Sequence, residues 1–277
     1  MCMSEQEFYI APRDDTFISL IRTVIARGNL KQKYINQLTS PENMEIFSQV
    51  FTHQSVCVDR PDFNYEVYEQ MGDVTANKFI VWYIYKRFPR LKCTSGVKIV
   101  ARLRINYGAK QSFYKIAESL GFWHFISASM DVRNREMKNI LEDVFESFIG
   151  AVEYIIDNAF VIGVGYSIVY AILESIFNEK TILLTYDSLY DSKTKLKELF
   201  DFIPSLGKLR YEDKKTFVNE NSINHCTVYR ESIKIGEGSA SLKNDAQQNA
   251  ARNAIEKLKR EGFIKPVPPE YAMFDTN

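Results

Sequence analysis

The sequence is poor in cysteine. Its 277 residues include four cysteines, Cys2, Cys57, Cys93 and Cys226, with no Cys-x-x-Cys pair and no grouping with histidine. This distribution excludes the structural zinc sites and disulfide frameworks that cysteine spacing reveals. Scattered cysteines of this kind are typical of reducing compartments, so we expect a cytoplasmic protein.

The chain also lacks a long hydrophobic run. The longest, at residues 159–173, has fifteen residues and includes Ser167, Gly163 and Gly165. A membrane helix needs about 20 mostly apolar residues, so this run predicts a buried core helix and no membrane partner. The N-terminus contains acids and lacks the apolar stretch of a signal peptide. No third glycine follows at the dinucleotide-binding spacing, and no strand-like segment precedes the two glycines, which excludes a Rossmann fingerprint.

The net charge is zero, with 35 lysines and arginines against 35 aspartates and glutamates. On average this argues against a polyanion partner, but electrostatic footprints are local. Residues 42–73 hold seven acids and one arginine, whereas residues 74–116 hold ten lysines and arginines and no acid. A charge run is usually an ordinary solvated face. This separation of acids and bases is nevertheless also compatible with a surface that binds a polyanion.

Hydrophobic periodicity predicts that the first part of the chain is helical. Prolines and polar loops near 57–64, 92–96 and 128–138 interrupt the pattern. Apolar residues recur at helical spacing in the stretches 17–26, 79–88, 112–120, 140–156 and 160–177.

The pattern changes after residue 179. A short helix at 193–199, with Asp191 or Ser192 as its cap, precedes strand-like runs at 215–218, 226–229 and 232–235 and an alanine-rich helix at 245–261. We therefore predict an all-α domain at 16–178 and a small α+β domain of order α-β-β-β-α at 188–263. A Pro-rich tail at 264–277 is expected to be unstructured.

Two of the helical stretches carry closely spaced carboxylates. Glu66, Glu69 and Asp73 follow each other at i, i+3 and i+7, which places them on one helix face. Further along, Asp143 and Glu146 lie one turn apart in a helix that is otherwise mostly apolar. Like charges on one stripe repel unless a cation lies against them, and buried carboxylates need a paired charge.

The spacing leaves two explanations of these carboxylates open. They could form salt bridges, for example to Lys78 or Arg102. Alternatively, the two helices together could offer oxygen ligands to Mg²⁺ or Mn²⁺, and the chemistry that suits such ions is metal-assisted phosphoryl transfer.

Four segments, in this order and spacing, resemble ribonuclease III. They are residues 51–55 (Phe-Thr-His-Gln-Ser), 65–73 (Tyr-Glu-Val-Tyr-Glu-Gln-Met-Gly-Asp), 86–89 (Lys-Arg-Phe-Pro) and 140–151 (Ile-Leu-Glu-Asp-Val-Phe-Glu-Ser-Phe-Ile-Gly-Ala). The C-terminal part resembles a double-stranded-RNA-binding domain, so the resemblance covers residues 16–262. Either acidic segment alone would be a weak signal, whereas the two together are specific.

The resemblance implies an activity and a set of residues. It implies a homodimeric endoribonuclease for RNA processing, in which each subunit cuts one strand of double-stranded RNA. Hydrolysis would use two Mg²⁺ ions, with Mn²⁺ able to substitute, and leave 5′-phosphate and 3′-hydroxyl ends. The implied metal ligands are Glu69, Asp73, Asp143 and Glu146, and the implied catalytic residues are Glu66, Asp73 and Glu146.

The sequence departs from the family pattern around the ligands. The family signature usually reads Glu-Arg-Leu-Glu-Phe-Leu-Gly-Asp, and here Val67, Tyr68, Gln70 and Met71 replace its arginine, its two apolar positions and its aromatic. That helix also carries the family's dimer interface, so the dimer packing is expected to differ. His53, in the Thr-His-x-Ser element, is expected to pack near the dimer surface rather than to act as a base.

The C-terminal domain departs further. The family's Lys-Lys-x-Ala-Lys motif becomes Lys-Asn-Asp-Ala-Gln at residues 243–247, so weaker RNA binding is expected. His225 lies a few residues late for the family's strand-turn histidine. An ordinary solvated helix surface would also explain the charges that remain. The residues expected to contact RNA are Lys193, Lys195, Glu198, Lys243 and Arg252, with Lys197 and Lys257 as further candidates.

Two other functions compete with an endoribonuclease as explanations of the sequence. A non-catalytic dimer that binds double-stranded RNA could sequester or scaffold it, for example as a silencing suppressor. Such a protein should have lost at least one of the four acids, because buried carboxylates without a role cost stability. A structural component of a larger ribonucleoprotein should have long insertions or tails. The intact carboxylates favour the enzyme.

Overall fold

The computed structural model describes residues 7–108, 110–218, 221–272 and 274. The chain divides between Ile182 and Leu183 into two compact units. The first is helical and the second combines helices with an antiparallel sheet, which confirms the predicted fold class. Within the described residues, no helix is long and apolar enough to cross a membrane.

The first unit is built around one long helix, α7. Its segment from Ile140 to Ile156 is almost wholly buried, and other helices of the unit pack around it. The helices of this unit are α1 (Asp15–Ala26), α2 (Gln32–Leu38), α3 (Pro41–Val50), α4 (Glu66–Arg87), α5 (Thr94–Tyr107), α6 (Lys110–Ser119), α7 (Met130–Ala159) and α8 (Val164–Asn178).

The start of α7 differs from the sequence prediction. Residues 128–138, expected to be a polar loop, contain a two-residue strand, β2 (Ala128–Ser129), and the first turns of the helix. β2 pairs antiparallel with β1 (Phe8–Tyr9), and strands this short leave no alternation in the sequence. The first turns of α7 are polar because they are exposed, and the backbone leaves helical geometry at Glu136 (φ −122°, ψ 18°) before the buried segment begins.

The apolar run at 159–173 is a core helix over only part of its length. From Val164 onward the run forms the predicted core helix, α8, whereas residues 160–163 form a connection in which Ile162 is 89% exposed. Gly163 has a positive φ of 98°, which turns the chain there. The Asp157 carboxylate accepts hydrogen bonds from the backbone N–H groups of Gly163 (2.9 Å) and Gly165 (2.6 Å), so a polar side chain fixes the start of α8.

The second unit has the predicted order of helix, three strands and helix. Of the two predicted caps, Asp191 is the one that caps α10, where it accepts a hydrogen bond from the Thr194 N–H (2.9 Å). The sheet order is β3-β4-β5, antiparallel throughout, and each strand is longer than predicted. The elements are α9 (Tyr186–Leu189), α10 (Ser192–Phe202), β3 (Leu209–Val218), β4 (Asn221–Arg230), β5 (Ile233–Ala240), α11 (Lys243–Arg260) and α12 (Pro269–Ala272).

Both long helices of this unit pack on one face of the sheet. Val228 of β4 and the alanine stripe of α11, including Ala250 and Ala254, are fully buried in the same cluster. A Cβ at Gly238 would lie 2.4 Å from the Ala250 nitrogen, so the glycine allows α11 to approach β5 closely.

The tail is more ordered than its composition predicted. α12 lies within the stretch that was expected to be unstructured, and Tyr271 is buried. The Tyr271 hydroxyl lies 2.6 Å from that of Tyr190, and its ring packs edge-on against Tyr186 with centroids 5.4 Å apart. Aromatic burial and an ion pair between Lys265 and Glu198 hold this Pro-rich segment. Residue 273 and residues 275–277 lie outside the described part of the chain.

Candidate active site and RNA-binding residues

Helices α4 and α7 cross in close backbone contact. A Cβ added at Gly72 would lie 1.7 Å from the carbonyl oxygen of Glu146. One added at Gly150 would lie 2.1 Å from the carbonyl oxygen of Tyr68. One glycine on each helix therefore permits an approach that any larger residue would block. The crossing lies beside Asp73 and at Glu146, so the acidic turns of the two helices meet.

Glu146 lies at the centre of a group of carboxylates. Its side chain is buried, and the residue is 6% exposed. Burial, followed by the charges of Glu142, Asp73, Glu69 and Asp143, raises the pKa of Glu146 to about 8. The structure thus brings together all four residues that the sequence resemblance implied as ligands. Burial close to other carboxylates is the kind of environment that marks functional acids.

Tyr65, the residue before α4, connects the two acidic helices. Its hydroxyl donates a hydrogen bond to Oδ2 of Asp143 at 3.1 Å. Ser147 Oγ lies 3.1 Å from the Tyr65 carbonyl oxygen and 2.7 Å from that of Asp143, so one buried hydroxyl also links the two backbones. Burial, and then the neighbouring charges of Asp143, Glu69 and Glu66, raise the pKa of Tyr65 well above its ordinary value. The phenol therefore remains a hydrogen-bond donor.

Glu142 was not singled out in the sequence and belongs to the same group. It is 6% exposed and contributes the largest charge effect on the pKa of Glu146. The two glutamates are four residues apart on α7 and so lie on one face. The i, i+4 spacing was the available signal, and it was overlooked because the resemblance supplied a set of ligands that omits this position.

The donor atoms and the charge of this group fit a hard divalent cation. Such ions prefer carboxylate oxygens, and a bound cation would offset the charge that raises the pKa of Glu146. In the part of the chain that the structure describes, no three acidic, histidine or cysteine side chains are already arranged as a closed ligand set. Ion binding would therefore require at least some of these side chains to turn towards the others.

His53 lies behind this group rather than within it. Its ring packs edge-on against that of Tyr65, with centroids 5.7 Å apart, and its Nδ1 accepts a hydrogen bond from the Ser55 N–H at 3.0 Å. Burial lowers the pKa of His53, although the charges of Glu136 and Glu66 oppose the shift. These contacts support a packing role for the histidine.

The basic stretch at 74–116 spans most of α4, a short 3-10 turn at Pro89–Leu91, α5 and part of α6. Lys78, considered as a salt-bridge partner of the acids, has its Nζ 3.9 Å from the ring centroid of Tyr166 instead. On α5, Arg104 is exposed. The positive charge of this stretch is therefore available, at least in part, to a polyanion.

In the C-terminal unit, two of the candidate RNA-binding lysines are connected. Lys193 Nζ donates to Oε1 of Gln247 at 2.6 Å, and Gln247 Nε2 donates to Oδ2 of Asp213 at 2.8 Å. Lys243 forms an ion pair with the same carboxylate oxygen at 3.1 Å. Burial would raise the pKa of Asp213, but the hydrogen bonds from Lys243 and Gln247 outweigh it and hold that pKa below its ordinary value. Part of the positive charge of Lys243 is therefore neutralised within the domain.

The other candidates have varied surroundings. Arg252 is exposed on α11, whereas Lys195 forms an ion pair with Asp187 at 2.8 Å. Glu198 accepts hydrogen bonds from Tyr186 and from Lys265 of the tail, which the sequence did not indicate. His225 lies within β4, where its ring nitrogens are each 2.8 Å from a hydroxyl, that of Thr216 on β3 or of Ser239 on β5. These bonds hold the histidine within the sheet and not in a turn.

Each of the two units matches a known protein family. A family model described as the ribonuclease III domain matches residues 66–154, and one described as the double-stranded RNA binding motif matches residues 192–258. A putative ribonuclease 3 of Invertebrate iridescent virus 6 is 37% identical over 96% of this chain and 95% of its own length. Ribonuclease 3 of Limosilactobacillus fermentum is 28% identical, covering 79% of this chain and 92% of its own. A solved nuclease domain of ribonuclease III from Campylobacter jejuni has 26% identity and a TM-score of 0.42, covering 55% of this chain and 99% of that one.

Proposed function

The chain belongs to the ribonuclease III family, and from this we propose that it is an endoribonuclease that cleaves double-stranded RNA in a reaction dependent on Mg²⁺, with Mn²⁺ able to substitute. The observation that carries the proposal is the meeting of Glu69, Asp73 and Asp143 around the buried Glu146 at the crossing of α4 and α7. This crossing lies within the segment that matches the ribonuclease III domain.

The four carboxylates are the residues that would hold the divalent ions. When bound, the ions supply Lewis-acid activation of the phosphodiester and stabilise the negative charge that develops there. The chain's own contribution is to fix the carboxylates on two helices whose separation is set by backbone contact. Glu66 is exposed at the first position of α4 and is proposed to assist catalysis. The products would carry 5′-phosphate and 3′-hydroxyl ends.

The C-terminal unit is proposed to bind the duplex. Lys193, Lys195, Lys243 and Arg252 would contact phosphates, and Glu198 would approach a minor groove. The ion pairs of Lys195 and Lys243 support the expectation of weakened binding by this unit. The basic stretch of the nuclease unit would then share in holding the RNA.

A homodimer is the proposed assembly. The outer face of α4 exposes an apolar stripe formed by Val67, Met71, Val74 and Trp82. Apolar side chains at about one-turn spacing on a solvent-facing helix are typical of a surface that another chain covers. Two of these residues, Val67 and Met71, are among the replacements in the family signature, so the interface would have its own side-chain packing.

A reducing, cytoplasmic compartment is also proposed. Among the described residues, Cys57, Cys93 and Cys226 all carry free thiols, which supports this assignment.

One experiment tests the activity. The purified full chain is incubated with a long RNA duplex in Mg²⁺, in Mn²⁺ or in EDTA, beside Glu146→Gln and the exposed control Glu118→Gln. We expect cleavage of the duplex by the wild type and the control in either metal, none in EDTA, and none by Glu146→Gln. A single-stranded RNA of the same sequence tests specificity. An intact duplex in both metals would contradict the proposal and favour a protein that only binds the duplex.

A further inference from the structure

Two non-acidic side chains donate hydrogen bonds to these carboxylates: Asn77 to Asp73 on its own helix, and Tyr65 to Asp143 on the other helix. The ring of Tyr65 is buried, with 5% of the residue exposed, and its hydroxyl reaches Oδ2 of Asp143 at 3.1 Å. The residue stands at the N-cap of α4 without forming a side-chain cap hydrogen bond. The Tyr65 hydroxyl therefore hydrogen-bonds to a residue of α7 and does not cap its own helix.

The backbone of Tyr65 is fixed as firmly as its side chain. The Tyr65 N–H donates to the carbonyl oxygen of Thr52 at 3.2 Å, and its own carbonyl lies within hydrogen-bond distance of the buried Ser147 Oγ. The ring packs against His53. A phenol held at its ring and on both sides of its backbone can orient the carboxylate it contacts.

We propose that Tyr65 is a positioning residue for divalent-cation binding, because its hydroxyl holds the Asp143 carboxylate in the orientation that receives the ion. This inference rests on the proposed function, since it takes Asp143 as a ligand. A carboxylate on a free side chain samples several rotations, and a hydrogen bond to one oxygen restricts them before the ion arrives. Partners that orient a ligand typically account for about 10- to 100-fold in metal affinity or activity.

The test compares two substitutions of the same kind. Tyr65→Phe removes the hydroxyl and keeps the ring on His53. Tyr68→Phe, three residues along on α4, is the matched control, because its buried ring packs against Tyr154 and not against the carboxylates. The dissociation constant of Mn²⁺ alone is measured for the full chain by electron paramagnetic resonance, and melting in EDTA verifies that each variant is folded.

We expect Tyr65→Phe to weaken Mn²⁺ binding about 10-fold or more, whereas Tyr68→Phe binds like the wild type. The Mn²⁺ concentration for half-maximal cleavage should rise by the same factor, while the KM for RNA at saturating metal stays unchanged. In the background of Asp143→Asn, removal of the Tyr65 hydroxyl should have no further effect on Mn²⁺ binding, because the tyrosine acts through that carboxylate.

The two proposals fail in different ways. If the wild type binds Mn²⁺ and cleaves RNA but Tyr65→Phe has the same dissociation constant, the positioning role is wrong and the proposed function stands. An equal loss of affinity in Tyr68→Phe, or an undiminished effect in the Asp143→Asn background, would also overturn the role. If the wild type binds no Mn²⁺, both proposals are wrong.

Discussion

Replacing Glu146 by glutamine should stabilise the metal-free protein while abolishing the proposed metal-dependent activity. The carboxyl group is buried among other carboxylates, and its pKa is raised to about 8 from an ordinary 4.5. At neutral pH the folded state therefore keeps the proton that the unfolded chain has released. Glutamine has nearly the same shape as protonated glutamic acid and no proton to release, so the variant avoids this cost.

The pKa values of Glu146 in the folded and unfolded states give the sign and the size of its effect on the free energy of unfolding. Below the unfolded value of 4.5, both states are protonated and the residue has no effect on stability. Between 4.5 and about 8, only the unfolded state ionises, so the wild type loses stability as the pH rises, by on the order of 3 kcal/mol at pH 7. Above the folded pKa both states ionise, and the loss levels off at on the order of 5 kcal/mol.

The assay is urea unfolding of the full chain in EDTA at several pH values between 5 and 9. The free energy of unfolding of Glu146→Gln should be higher than that of the wild type, and the difference should grow with pH to about 3 kcal/mol at pH 7. The exposed control Glu118→Gln should follow the wild type. Addition of Mg²⁺ should reduce the difference, because an ion that binds only the folded state stabilises the wild type, whereas the variant has lost one of the ion's ligands.

Two outcomes would refute this reasoning. Parallel stability curves for wild type and variant across the pH range would mean that Glu146 titrates normally, so the carboxylates do not crowd it. A variant less stable than the wild type at pH 8 in EDTA would mean that the ionised carboxylate forms a favourable interaction within the fold.

Three further predictions concern the helix crossing, the RNA-binding unit and the dimer. Gly72→Ala should lower the free energy of unfolding by about 3 kcal/mol, because its Cβ would collide with the backbone of Glu146; urea unfolding measures this, and an unchanged midpoint would contradict the close crossing. Asp213→Asn should release Lys243 and tighten binding to duplex RNA, and the salt dependence of binding should become steeper by about one phosphate contact. Fluorescence anisotropy at several salt concentrations measures both effects. Unaltered binding would mean that Lys243 does not contact the RNA. Trp82→Lys should convert the proposed homodimer to a monomer, because it places a charge in the exposed apolar stripe of α4. Light scattering after size-exclusion chromatography gives the mass, and a dimer of undiminished stability would place the interface elsewhere.

Features that depend on neighbouring residues were predictable from the sequence. The Asp191 cap defines the start of α10, because the capping bond spans three residues. The spacing of Glu66, Glu69 and Asp73 fixes their common face, because the direction of a side chain on a helix follows from its position alone. The core position of α8 also followed from its periodicity, from Val164 onward.

Features that depend on distant contacts were not predictable in this way. The tail was expected to be unstructured from its prolines, yet Tyr271 finds a buried place against Tyr186 and Tyr190. The polar sequence of the first turns of α7 predicted a loop, because polarity alone does not distinguish a solvated helix from a connection. Glu142 resembled an ordinary helix charge until its burial beside Glu146 was visible.

The sequence by itself determined that two helices would each carry carboxylates on one face, and the order of the motifs identified the family. The tertiary structure alone decided that these faces meet. Gly72 and Gly150 bring two backbones into contact, and Tyr65 reaches from the start of α4 to Asp143. Periodicity describes each helix separately, whereas the environment of a carboxylate depends on which other helix lies against it and how closely.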